Sequence, residues 1–388
     1  MQRTLTHCCV ITPNYPDRWF IERGSFVDRL VGEWQRMGVS VDVIAPRKIS
    51  NLLRTYVRKK YPLSGISGDR IIYPTYLSVS NKKILNLNLQ EISLNNFTKA
   101  ALRGVRKADI PEFFYGQFLM NGGRAALTAG KVYSRPAFAD VGESILTNNL
   151  SVEEYKQLNL LVKSLDGFAC VSEDLANEII SLGAKPENVM HYPNTVDMNR
   201  FKLLDKVECR KRLQLPPNDS IAIFTGHFIE RKGPLRVLEA LRKQNGRKVK
   251  AIFIGRGEQE PSGECVLHKG SVPNSHLATW LGAADIFVLP TLHEGHCNAI
   301  NEAMACGLPI ISSDIPEVRN QVPKGSGLLV DPTDTGAIAA AIEHLISDDE
   351  LREKMGRKAY DVQRKRSKKS RASVILKWIA SRIENSHL

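Results

Sequence analysis

Residues 290–309 read Pro290-Thr-Leu-His-Glu294-Gly295-His296-Cys-Asn298-Ala-Ile-Asn-Glu302-Ala-Met-Ala-Cys-Gly307-Leu-Pro309, and the reading of this stretch decides the fold. The run Ile286-Phe-Val-Leu289 before it is short and wholly apolar, as a strand buried on both faces is. Positions 299–306 read as a helix stopped by Gly307 and Pro309. Strand, polar loop and helix make one step of a doubly wound α/β sheet, and ligands of such sheets collect at the carboxyl ends of the strands. Two glutamates flank seven residues here, Glu294 in the loop and Glu302 on the helix. One carboxylate can face a sugar ring while the other accepts a bidentate hydrogen bond from a ribose diol. Gly295 lets the backbone approach a ligand closely, and the N–H groups that follow it, at a positive helix end, suit phosphate. Taken alone, two glutamates read more simply as a solvated loop and helix. The flanking sequence changes that reading.

Upstream and downstream, strand and helix patterns alternate. Strands are expected at 7–12, 41–44, 113–115, 136–139, 167–171 and 189–192, with helices at 25–37, 152–164 and 174–182. The pattern restarts beyond Asp197 with strands at 221–224, 249–254, 266–268, 286–289, 308–312 and 328–330, and helices at 234–241, 277–281 and 335–346. The fold class is therefore α/β, built as two successive doubly wound units. A linker is expected at 198–218, and the apolar face of Val374, Ile375, Trp378, Ile379 and Ile383 predicts a terminal helix docked on one of the units.

Length and composition agree. At 388 residues the chain exceeds one ordinary core, so two domains of roughly 150–200 residues are expected. The seven cysteines are scattered, odd in number and without Cys-x-x-Cys spacing, which argues against a disulfide framework or a zinc site and for a reduced cytosolic setting. No apolar run approaches the roughly 20 residues a bilayer requires, and residues 8–11 are too few for a signal-peptide core. The net charge of +13 is uneven: residues 45–110 carry thirteen Lys or Arg against three Asp or Glu. Arg47, Lys48, Arg54, Arg58, Lys59 and Lys60 alternate there with Leu52, Leu53, Tyr56, Val57 and Tyr61, a mixture that suits an anionic membrane surface or lipid-linked acceptor, or simply a solvated face. A second cluster places six positive charges in 364–371. Nucleic-acid binding competes for both clusters, but interleaved aromatics in repeated stacking positions are missing, so no nucleic-acid partner is expected.

Further motifs occur in a fixed order: Asp166-Gly-Phe-Ala-Cys-Val171, Tyr192-Pro193-Asn194-Thr195-Val196-Asp197, Phe224-Thr-Gly226-His227, Arg231-Lys232-Gly233, Gly255-Arg-Gly257, Gly270-Ser-Val-Pro273 and Gly327-Leu-Leu-Val-Asp331-Pro332. With the Glu294–Glu302 stretch, this ordered set resembles glycosyltransferase family 4 over nearly the whole chain, most strongly from 165 to 345. Gly255-Arg-Gly257 by itself would suggest a nicotinamide dinucleotide site, but Glu260 stands where the third glycine belongs. The resemblance implies a GT-B fold, two Rossmann-like domains facing a cleft, with an acceptor domain at 1–200, a nucleotide-sugar donor domain at 201–367 and a helix at 368–388 crossing back to the first. It also implies roles: Glu302 on the ribose hydroxyls, Glu294 on the transferred sugar, Gly295, His296 and Asn298 on sugar hydroxyls or phosphate, and Lys232 with Arg231 on the diphosphate. Gly24 would approach the diphosphate, and the base would lie near Val272.

Three departures stand out. His227 occupies a position where many members carry arginine, and it can donate to phosphate if protonated. His296 stands where an aromatic such as phenylalanine is common. Ala139-Asp140-Val141-Gly142-Glu143-Ser144 lacks the histidine that members often present to the reacting carbon, leaving Asp140 or Glu143 as candidates for that role. The implied activity is retaining transfer of a hexose-type sugar from a UDP- or GDP-linked donor to a hydroxyl, in cell-surface polysaccharide or glycolipid synthesis, with no metal or other cofactor. The acceptor is expected to be lipid-linked or a polysaccharide, and the setting cytoplasmic with peripheral association at the inner face of the membrane. A nucleotide-sugar epimerase, a phosphorylase of the same fold, and a carbohydrate-binding protein without catalysis are the alternatives.

Overall fold

The computed structural model describes residues 4–20, 23–50, 66–79, 83–84, 87–143, 146–147, 150–244 and 249–385. These fall into two compact units, Met1–Pro193 with Arg371–Leu388, and Asn194–Ser370. The basic stretch with Arg54, Arg58, Lys59 and Lys60 lies outside the described residues.

The first unit is a parallel seven-stranded sheet. Its strands are β1 (His7–Ile11), β2 (Ser40–Ile44), β3 (Arg70–Ile72), β4 (Phe113–Gln117), β5 (Ala137–Val141), β6 (Gly167–Cys170) and β7 (Val189–His191), in the spatial order β7-β6-β5-β4-β1-β2-β3. The two-residue period of a strand explains how β1 serves both faces: Cys8 and Val10 join one core, Cys9 and Ile11 the other. The first core packs under α1 (Ser25–Arg36). The second lies under α2 (Leu89–Val105), α3 (Arg124–Tyr133), α4 (Val152–Ser164) and α5 (Glu173–Ser181). All seven cysteines are free thiols, and those in the strands serve as small apolar core residues.

The second unit is a parallel six-stranded sheet: β8 (Ser220–Thr225), β9 (Val249–Ile254), β10 (Val266–Gly270), β11 (Ile286–Leu289), β12 (Ile310–Ser313) and β13 (Gly327–Val330), ordered β10-β9-β8-β11-β12-β13. Its helices are α6 (Lys206–Arg212), α7 (Pro234–Arg242), α8 (Leu277–Gly282), α9 (Asn298–Ala305), α10 (Pro316–Gln321), α11 (Thr335–Ser347) and α12 (Asp349–Arg366). The chain order reverses between β8 and β11, so the loops leaving these two neighbouring strands open at a topological switch point.

The boundary between units lies at 193/194 rather than within 198–218. Val196 and Phe201 are already committed to the core of the second unit. The charged segment after them is α6, whose Arg210 is buried and donates to Asp285 at 2.8 Å, to the carbonyl of Ala283 at 2.9 Å and to that of Pro217 at 2.6 Å. The chain returns to the first unit in α13 (Arg371–Asn385), where Ile375, Leu376, Ile379 and Ile383 pack with Val27, Val31 and Trp34. The indole N–H of Trp34 donates to the carbonyl of Ala372 at 2.8 Å. Trp378 meets Phe138 edge-on at 5.7 Å.

The second basic cluster is partly structural. Arg366 donates to the carbonyls of Gln321 and Asn320, capping the end of α10, and Arg371 is internal to the first unit. Among the described residues, no helix is long and apolar enough to cross a membrane.

Candidate active site

The switch point of the second unit holds the densest charge cluster among the predicted site residues. Residues 226–233 leave β8 and enter α7; residues 290–297 leave β11 and enter α9. The two segments are tied by backbone, Leu292 N–H donating to the carbonyl of Arg231 at 2.8 Å, and by Arg236, which donates to the carbonyl of Pro290 at 2.9 Å. Across this joint Lys232 Nζ bonds Glu294 Oε1, and Arg231 donates to the same oxygen at 3.2 Å and to the carbonyl of His293 at 2.8 Å. The hydroxyl of Thr291 supplies a third donor to Oε1 at 2.7 Å. Lys232 is 9% exposed and Glu294 7%, so the pair is largely out of water, where a charge is tolerated only with partners of this kind.

The floor of the loop is braced by residues the sequence reading did not single out. Gln321, buried on α10, accepts from Cys297 N–H at 3.0 Å and donates to the carbonyl of Cys297 at 2.6 Å and to Asn301 Oδ1 at 2.8 Å. Asn301 in turn donates to the carbonyl of Asn194 at 2.9 Å and lies 3.4 Å from His296 Nδ1. Neither could be singled out from sequence: the helix of Gln321 is polar through most of its length, and the acceptor of Asn301 lies 107 positions away. Cys297 lies 4.0 Å from Lys232 Nζ; burial pushes its thiol up to about 11 even though the lysine opposes the shift, so it stays neutral at physiological pH.

Other predicted residues share this edge of the sheet. His227 is exposed on the segment after β8, Val272 is half-buried after β10, and Glu302 is half-buried on α9 behind Gly295, His296 and Asn298. The Gly255-Arg-Gly257 turn has a packing reason. A Cβ on Gly255 would stand 1.8 Å from the carbonyl oxygen of Gly226, so the loops after β8 and β9 touch backbone to backbone.

Gly24, Asp140 and Glu143 belong to the first unit. Gly24 caps α1 in the left-handed region at φ 66°, and a Cβ there would fall 2.2 Å from the carbonyl oxygen of Asn14. Asp140, 4% exposed, accepts from Tyr115 Oη at 2.7 Å, from Gln117 Nε2 at 3.1 Å and from Arg371 in a bidentate pair at 2.6 and 3.1 Å. Arg371 also donates to the carbonyls of Ala169 and Tyr192. Asp140 is thus the anchor of α13, not a carboxylate facing a reacting carbon: its oxygens are filled by internal donors.

Glu143, half-buried beyond β5, accepts from the N–H groups of Leu119 at 2.5 Å and Gly142 at 3.0 Å. Burial raises its carboxyl to about 7, against the pull of those N–H groups and with help from Asp140. A raised folded-state value contributes stability below the unfolded value near 4.5 that is lost as pH rises through 7. The stability of Glu143→Gln relative to wild type should therefore grow by roughly 1–3 kcal/mol between pH 4.5 and 8 in urea titrations. A difference that stays flat with pH would contradict this, and any constant loss from the amide cancels in the comparison.

Residues 205–362 match the family model of glycosyl transferases group 1. The matched stretch includes Arg231, Lys232, Glu294 and Glu302. The chain is 28% identical over 351 residues to the putative teichuronic acid biosynthesis glycosyltransferase TuaC of Bacillus subtilis, covering 86% of this chain and 87% of TuaC. Two solved structures share the whole fold. Sucrose-phosphate synthase from Thermosynechococcus elongatus superposes with a TM-score of 0.72 over 98% of both chains at 18% identity. HepE from Anabaena, in complex with UDP and glucose, gives 0.70 over 98% of this chain and 100% of its own at 17% identity. The fold is GT-B, two Rossmann-like α/β units.

Proposed function

We propose that the chain is a retaining glycosyltransferase that moves a hexose-type sugar from a UDP- or GDP-linked donor to a hydroxyl acceptor in cell-surface polysaccharide or glycolipid synthesis. The observation that carries this reading is the Arg231–Lys232–Glu294 cluster at the switch point, inside the region that matches glycosyl transferases group 1. A nucleotide diphosphate leaving group gains negative charge as the glycosidic bond breaks. Fixed cations aimed at that charge lower the barrier without a metal. Lys232 and Arg231 supply them. Their partner within the unit is Glu294, and donor phosphate takes over the lysine and releases the carboxylate to accept from sugar hydroxyls. Glu302, one helix turn beyond the loop, takes the ribose diol, with the base beside Val272 and phosphate or sugar at the N–H groups of 295–298. His227 and Gly24 are assigned to phosphate, and Glu143 to the face of the sugar opposite the phosphate. Uracil is the first base to test, because HepE is solved with UDP and glucose. The TuaC likeness supports a polysaccharide acceptor, and the basic charge of residues 45–110 supports an anionic, membrane-held one on the cytoplasmic face.

Thermal-shift measurements with UDP-, GDP- and ADP-sugars test the donor assignment. One nucleotide should raise the melting temperature of the wild type. Glu302→Ala should abolish that rise, since a diol left without its acceptor loses a charge-assisted pair worth about 1.5–3 kcal/mol, a tenfold to hundredfold loss of affinity. A rise of unchanged size in Glu302→Ala would refute the ribose role. Retention is read from the anomeric configuration of the product by NMR.

A further inference from the structure

Three loops leave neighbouring strands of the first unit side by side. Residues 13–20 follow β1, Arg47 follows β2 and Tyr73 follows β3, at the carboxyl edge where such sheets take ligands. They build a compact cation–aromatic cluster. The Arg47 guanidinium lies 3.6 Å from the Tyr73 ring centroid and 5.5 Å from that of Trp19. Asp17 holds it from behind: its Oδ1 accepts from the N–H groups of Trp19 and Phe20, and its Oδ2 lies 3.3 Å from Arg47 Nε. The Tyr73 hydroxyl donates to the carbonyl of Pro16 at 2.5 Å, fixing the ring against the loop.

One donor in this cluster is left over. Trp19 Nε1 is buried with no hydrogen-bond partner among the described residues, while Arg47 Nε is ion-paired with Asp17 Oδ2 without hydrogen-bond geometry. A buried N–H without an acceptor costs about 1–3 kcal/mol, and a built cluster that keeps one calls for an explanation. The unmet demand is for an acceptor, beside a guanidinium and two aromatic rings. A hydroxyl would bring a donor of its own in need of an acceptor, whereas a carboxylate or phosphate brings acceptors alone. The rings offer flat apolar faces of the kind that cover the C–H face of a pyranose. Arg18 and Lys48 next to the cluster raise the local positive charge further.

We propose that Trp19, Arg47 and Tyr73 form a subsite for an oxyanion carried on a saccharide, the anionic sugar residue of the acceptor. The proposal rests on the glycosyltransferase reading only for the word acceptor; the subsite itself is a binding claim. The oxyanion has two chemical sources, a uronic-acid carboxylate or a sugar-linked phosphate, and the probes separate them.

Trp19 reports its own occupancy, because displacement of the stacked guanidinium alters indole fluorescence. The full-length protein is titrated in low salt with trigalacturonate, with glucose 1-phosphate and with neutral cellotriose. At least one anionic probe should saturate the signal with an affinity tenfold or more above cellotriose, and the tighter of the two names the source. Arg47→Gln should weaken that probe at least tenfold; Trp19→Phe should abolish the signal and weaken binding in calorimetry. A far-UV circular dichroism spectrum and a calorimetric transition of the first unit like those of the wild type certify that each variant is folded, and where Arg47→Gln does not fold, Trp19→Phe carries the decision. Equal affinity for neutral and anionic sugars, no saturable binding by the wild type, or unchanged binding in the folded variants overturns the subsite. Failure of the donor reading is seen separately, as absence of any nucleotide shift in a wild type that still binds the anionic sugar.

Discussion

Lys232→Ala is expected to lower kcat/KM for sugar transfer by about 10³-fold, roughly 4 kcal/mol of transition-state stabilisation. The effect is electrostatic. Lys232 is 9% exposed, so its charge acts where water screens it little, and it sits at the switch point where the diphosphate of a donor would end. Loss of the ammonium group leaves Arg231 as the remaining cation on Glu294, which also retains the hydroxyl of Thr291. The variant should therefore also melt earlier, since a buried carboxylate has lost its shortest partner. Stability and chemistry separate in the double variant Lys232→Ala/Glu294→Gln. Removing both charges restores much of the melting temperature and none of the rate. A rate that recovers together with the melting temperature would show that the lysine acts only on the fold, and steady-state kinetics beside differential scanning fluorimetry distinguish the two.

The largest expected effect on stability is at Arg371→Met. This change leaves Asp140 charged inside the first unit with only Tyr115 and Gln117 as donors, and strips the carbonyls of Ala169 and Tyr192 of theirs. Breaking a buried pair from one side costs about 3–5 kcal/mol. For a unit of this size that is roughly a 10 °C fall in its transition. Asp140→Asn added to the same chain should recover part of the loss, because the amide needs no counter-charge. Scanning calorimetry should place the change in the transition of the first unit, while the nucleotide-dependent shift of the second persists. A fall of less than about 2 °C would mean that the pair is solvated and Asp140 available for other roles.

The expected parallel α/β units were legible because a buried parallel strand is a run of apolar residues. Ile286–Leu289 and Val249–Ile254 have the predicted bounds, and so does the helix Val152–Ser164, which begins at a Ser151–Glu154 capping box. Helices of polar composition were not legible. α12 carries Arg364, Lys365 and Arg366 at its end and was read as a charge cluster, while α6 was read as a linker because its buried side is a guanidinium. The candidate site divides the same way. Glu294, Lys232 and Arg231 are brought together as a motif reader would want. Thr291, Asn301 and Gln321 are invisible without the fold: Gln321, for one, holds the backbone of Cys297 from 24 positions away. Asp140 misled for the converse reason: its partner Arg371 is 231 positions distant.

That distance has a consequence for how the chain is made. The second unit is continuous, 194–370, and can close as soon as it has left the ribosome. The first unit is begun earlier and finished later. Until residues 371–383 emerge, the indole of Trp34 has no acceptor at Ala372, Asp140 has no counter-ion, and the face bearing Val27 and Val31 lies open. The order of synthesis and the order of completion are thus reversed. A chain truncated after Ser370 and released would hold a complete C-terminal unit and an N-terminal one still in need of protection from aggregation.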